Sequence, residues 1–90
     1  MDIHLVSYDL IKPNKDYTQL INFIKSYTDW AKPLESVWLI KTSLTSLQLA
    51  NQIKAHMDTD DKLVVVKITK NDSAWVNLST EVSDWMKSSL

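Results

Sequence analysis

Hydrophobic and polar positions alternate in blocks along this chain, and the period of each block separates strands from helices. From Ile3 to Leu10 the period is two: Ile3, Leu5, Ser7 and Asp9 share one face, and His4, Val6, Tyr8 and Leu10 share the other. Both faces are largely apolar, which predicts a central strand. Tyr17, Leu20, Ile21, Ile24 and Tyr27 then fall at helical spacing and form one stripe. Asp16, with Gln19 three residues on, reads as the cap of that helix. Pro33 sets its end near Thr28 or Asp29. The segment "LESVWLIKT", residues 34 to 42, is a second strand, with a short strand at Trp30 to Lys32 leading into it as a hairpin through Pro33 and Leu34.

Thr45 and Gln48 fit a capping box for a second helix, followed by Leu47, Ala50, Ile53, Lys54 and Met57 at helical spacing. The acidic run "DTDD", residues 58 to 61, ends it. "KLVVVKIT", residues 62 to 69, is a third strong strand, apolar enough to expect burial on both faces. Asn71 and Asp72 are turn residues. "AWV", residues 74 to 76, reads as a short edge strand. Ser79 caps a last helix with a stripe of Leu78, Val82, Trp85 and Met86.

This order predicts an α+β chain with the ferredoxin-like βαββαβ arrangement and an additional C-terminal strand and helix. It reads as one domain over residues 1–90, with the core at about 1–70 and the extension at about 71–90. Helices cover one face of such a sheet. The other face needs a cover, which the C-terminal helix or a second subunit would supply.

Composition narrows the function classes. The chain is 44% hydrophobic with a net charge of −1, the balance of a soluble globular protein. No apolar run approaches the ~18 residues of a membrane helix, and the start lacks a basic-then-apolar signal pattern, so the expected location is the cytoplasm. Cysteine is absent, which excludes disulfides, thiolate metal sites and cysteine nucleophiles. Glycine is absent too, which excludes Gly-rich phosphate cradles. Every one of the ten basic residues is Lys; without Arg, bidentate phosphate and base contacts are missing, and general nucleic-acid binding is disfavoured.

The strand ending in "SYDL", the strand "ESVWLIKT" and the acidic turn leading to "DKLVVVKI" resemble the CRISPR-associated protein 2 family and its relative, virulence-associated protein D, over roughly residues 3 to 68. The resemblance implies a bacterial or archaeal source and a ferredoxin-like homodimer. Some members of the family are metal-dependent nucleases of RNA or DNA, and others are non-catalytic structural subunits. The family's catalytic acid maps to Asp9. Two copies of Asp9 facing each other across a twofold would share one Mg²⁺, which polarises a phosphoryl oxygen or helps generate hydroxide. Ser36 matches the family's middle-strand serine, a phosphate contact. The family's nucleases carry Arg and Lys soon after the acid, whereas here "IKPNKD" supplies only Lys12 and Lys15, and the tail from Ser73 onward has no counterpart.

Each candidate has a simpler alternative. Asp9 is either a metal ligand or a strand-end acid bonded to backbone N–H groups. "DTDD" lacks the Gly and Glu of a calcium loop, with Thr69 at the place of the Glu, and reads as a solvated turn. His4 is too far along its strand to serve Asp9, and His56 suits a helix end. Tyr8, Trp30, Trp38, Trp75 and Trp85, interleaved with Lys12, Lys15, Lys32 and Lys41, would suit single-stranded nucleic acid, but they equally suit a core or dimer interface. Two functions follow: a Mg²⁺-dependent nuclease acting through Asp9, or a non-enzymatic module binding itself or another protein through its open sheet face. Lys12, Lys15, Lys32 and Lys41 on one basic face beside Asp9 would favour the nuclease.

Overall fold

The computed structural model describes residues 1–12 and 16–90. Its elements in chain order are β1 (Asp2–Asp9), α1 (Thr18–Lys25), β2 (Asp29–Leu34), β3 (Val37–Thr42), α2 (Ser46–Lys54), β4 (Lys62–Lys67) and α3 (Thr80–Ser89). The four strands form one sheet in the order β2-β3-β1-β4, and every neighbouring pair is antiparallel. The fold is α+β and compatible with a ferredoxin-like arrangement. Among the described residues no helix is long and apolar enough to cross a membrane.

The two-residue period of β1 divides the core. Val6 and Tyr8 point to one face, where Trp38 and Ile40 of β3 meet Leu20 and Ile24 of α1 and Leu49 and Ile53 of α2. Ile3 points to the other face and packs with Leu39 and Met86, flanked by Leu5, Trp75, Leu78, Val82 and Trp85. The C-terminal segment therefore folds back onto its own sheet, giving helices on both sides. Burying apolar area at about 25 cal/mol per Å² makes both layers stabilising, and the larger layer includes Trp38, which is fully buried.

Local capping sets two helix starts where expected. Thr45 Oγ1 accepts from the Gln48 N–H at 3.1 Å while Gln48 Oε1 accepts from the Thr45 N–H at 2.9 Å, a complete capping box. Ser79 Oγ accepts from the Val82 N–H at 3.2 Å and starts α3. The expected Asp16 cap is different. Asp16 accepts from both the N–H and the hydroxyl of Thr18, so its carboxylate closes a turn two residues on, and α1 starts after Tyr17 with no side-chain cap. These bonds hold the Asp16 carboxyl below its ordinary pKa, the Thr18 hydroxyl contributing most.

No strand forms over residues 74–76, contrary to the sequence expectation. Asn71 and Asn77 both take positive φ, 67° and 64°, so the segment between them turns twice. Asn is among the few residues that tolerate this conformation, and this chain has no Gly to use instead. Trp75 instead packs, partly buried, against the cluster of Ile3, Leu39 and Met86 on the sheet face.

Candidate functional site

Asp9 ends β1 and is exposed. Antiparallel pairing sets it opposite Lys62, the first residue of β4. At this end of the sheet an open depression of about 600 Å³ is lined by Asp9 and Lys62 together with Lys32, Glu35 and Ser36 from the β2–β3 hairpin, and by Tyr8, Leu10, Ile11 and Ile21. Two strand ends and a hairpin thus bring two carboxylates, two ammonium groups and a hydroxyl to one place. A second, smaller hollow of about 200 Å³ flanks Asp9 on the Ser7, Leu63 and Val64 side. None of the hydrogen bonds or ion pairs among the described residues involves the Asp9 carboxylate. The simpler alternative, a carboxylate bonded to backbone N–H groups, is not what these residues form.

The structure gathers Asp9, Ser36 and Lys32 but sets Lys41 at the other end of the sheet and pairs Lys12 with another carboxylate. Lys41 lies opposite Ile3, at the far end of β1, where it pairs with Asp29 at 3.5 Å and stands over the Trp85 ring. Lys12 is drawn to Asp58 on the acidic turn, at 3.6 Å. Lys15 lies outside the described residues. Of the described lysines, Lys12 and Lys41 are thus each drawn to another carboxylate, and Lys32 alone of the expected set lines the depression beside Asp9. Lys62 and Glu35 were missed by sequence reasoning. Glu35 precedes Ser36 directly, so its presence was readable; Lys62 joins Asp9 only through the β1–β4 register.

The remaining candidates are structural. Buried His4 spans from β1 to the start of α2, with Nδ1 2.9 Å from Ser46 Oγ and Nε2 3.0 Å from the Leu44 carbonyl oxygen. His56 stacks on Phe23 with ring centres 4.1 Å apart. Asp61 accepts from the Ile11 N–H at 3.0 Å, from the Tyr17 hydroxyl at 2.9 Å and from the Asp58 N–H at 2.8 Å, so the acidic turn anchors the chain after β1. The indoles of Trp30, Trp38, Trp75 and Trp85 all donate to oxygen atoms of this chain. Among the described residues, no group of three or more His, Asp or Glu side chains is placed to hold a metal ion. Asp9 and Glu35 are the carboxylates at the depression.

The open sheet face is only partly covered. α3 and the segment before it lie over Ile3, Leu39 and Ile68. Beyond them Leu34 (60% exposed), Val64 (57%) and Val66 (47%) remain in water, as does Val76 (78%) of the covering segment itself. An apolar groove of about 380 Å³ runs between the arm and the sheet, from Leu34 and Val37 to Trp75 and Leu90.

Comparison with protein-family models, with curated proteins and with solved structures finds no match to this chain.

Proposed function

We propose that this protein is a cytoplasmic, ferredoxin-like module similar to the CRISPR-associated protein 2 family, working as a homodimer whose role is to hold partners together rather than to perform catalysis. The observation that carries this reading is the set of apolar side chains left bare on the outer strands, Leu34, Val64 and Val66, and on the segment before α3, Val76. Exposed apolar side chains next to one another, as Val64 and Val66 are on one face of β4, mark interaction sites. The Arg-free composition and the charge of −1 point the same way, because a phosphate backbone is bound chiefly by clustered cations. Sedimentation velocity over a range of concentrations tests it. The expected result is a dimer; a chain that stays monomeric throughout would end the homodimer reading.

A second reading is favoured by Asp9. Its carboxylate has no partner among the described residues and stands beside Lys32, Lys62 and Ser36. A Mg²⁺-dependent nuclease would use Asp9 as metal ligand, Ser36 and the two lysines as contacts to a phosphodiester, and the bound ion to polarise the phosphoryl oxygen. Incubation of labelled RNA and DNA with Mg²⁺, Mn²⁺ or chelator, beside Asp9→Asn, decides between the two. Metal-dependent cleavage that the folded variant lacks would establish the nuclease. Equal activity or equal inactivity would remove it.

A further inference from the structure

The two outer strands of the sheet are built differently. β2 carries Lys32, Pro33 and a register irregularity between Ala31 and Leu34, devices that blunt an edge against pairing. β4 has neither a proline nor a register irregularity, and its two lysines, Lys62 and Lys67, stand at its ends and leave Leu63 to Val66 uncharged. Its outward groups follow from the hydrogen bonds. Ile68 donates its N–H to the Ile3 carbonyl at 2.8 Å, and the register repeats that bonded pairing in steps of two, at Val66 opposite Leu5 and Val64 opposite Ser7. The N–H and C=O groups of Leu63, Val65 and Lys67 therefore point away from β1, and no described residue bonds to them.

We propose that this edge pairs with β4 of a second copy of the chain, antiparallel about a twofold axis at Val65, to make one continuous eight-stranded sheet from two four-stranded ones. The inference rests on the homodimer reading and names its interface. Opposed residues of an antiparallel pair lie on the same face, so the axis passes through a residue. Through Val65, the outward groups of Val65 bond to each other reciprocally, and those of Leu63 bond to those of Lys67. Val64 and Val66, about half exposed in the single chain, then meet Val66 and Val64 of the second copy at the closely spaced, non-bonded positions. An axis through Val64 would instead set Val66 against Lys62.

Charge supports the antiparallel sense and the identity of the partner. The chain entering β4 carries Asp58, Asp60 and Asp61 against Lys62, a net negative end; the chain leaving it carries Lys67, which also pairs with Asp2 at 3.5 Å, and Lys70 against Asp72, a net positive end. A twofold places the acidic end of each copy beside the basic end of the other, whereas a parallel pairing sets acid on acid. Strand spacing and rise leave the two Asp9 residues about 25 Å apart in this dimer, so they do not share an ion across it.

The test combines two variants, each compared with the unaltered chain by sedimentation and circular dichroism. Val65→Pro removes an outward N–H at the axis while leaving the β1-facing groups intact; the expected result is a dimer dissociation constant raised by about tenfold or more with the fold retained. Val64→Cys/Val66→Cys, in a chain that otherwise has no cysteine, is expected to give a disulfide-linked dimer on mild oxidation, and neither single variant is. If Val65→Pro unfolds the chain, the cysteine pair decides alone. A wild-type dimer that Val65→Pro leaves intact and the cysteine pair fails to link overturns the edge while preserving the homodimer reading. A monomeric wild-type chain overturns both.

Discussion

Trp85 donates its indole N–H to Asp29 Oδ1 at 2.6 Å, joining α3 to the first residue of β2 across 56 positions of sequence. Lys41, from β3, pairs with the other oxygen of the same carboxylate and stands over the Trp85 ring. Asp29 thus fastens the C-terminal helix to the end of the sheet remote from Asp9. Replacing Trp85 by Phe keeps most of the apolar contact and removes the donor. The expected cost is ~1–2 kcal/mol, because the acceptor is charged but only partly buried. It is measured as a lower urea midpoint with unchanged m-value.

Beneath the helices, Trp38 donates to the Tyr8 hydroxyl at 2.9 Å, tying β3 to β1. Both residues are buried, and among the described residues no buried side-chain N or O lacks a partner. Tyr8→Phe strands the Trp38 N–H in the core. A loss of ~1–3 kcal/mol is expected from denaturant unfolding. A change below a few tenths would mean that the indole finds another acceptor.

Tyr17 and Tyr27 both have pKa values raised above the ordinary 10.0, Tyr17 by desolvation first and then by its bond to Asp61, Tyr27 by desolvation. The folded state therefore holds these protons more tightly than the unfolded state. Their contribution to stability is fully present below pH 10 and is lost as pH rises through the raised values. Ultraviolet titration should show these tyrosines ionising later in the folded chain than in urea. Asp61→Asn should move Tyr17 down towards its ordinary value; an unmoved curve would mean that desolvation alone sets it.

The capping box at α2 makes a separable prediction. Thr45→Ala removes the acceptor for the Gln48 N–H and should cost ~1 kcal/mol, while Thr45→Ser should cost little. Thermal unfolding of the two variants side by side reads the difference.

Sequence alone determined the elements whose cause is local. β1, β3 and β4 show in runs of β-formers, but the apolar run of β4, expected to be buried on both faces, lies at the sheet edge with Val64 and Val66 exposed. Thr45 and Ser79 mark helix starts because a cap is a bond between residues three apart in sequence. Where two local solutions compete, the pattern was not enough: Asp16 closes a turn with Thr18 instead of capping α1, and Trp75 lies on the sheet face instead of entering a strand at the edge. Of the candidate site, Asp9, Ser36 and Lys32 were legible as residue types, and the hairpin and strand ends that carry them were legible as elements. Only tertiary structure decided that Lys62 joins them while Lys41 goes to Asp29 at the far end. The physical reason is strand register. Moving a pairing by one residue sends a side chain to the other face, and the register of β1 with β3 and β4 is set by the summed burial of Val6, Tyr8, Trp38 and their neighbours. No short stretch of sequence contains that sum.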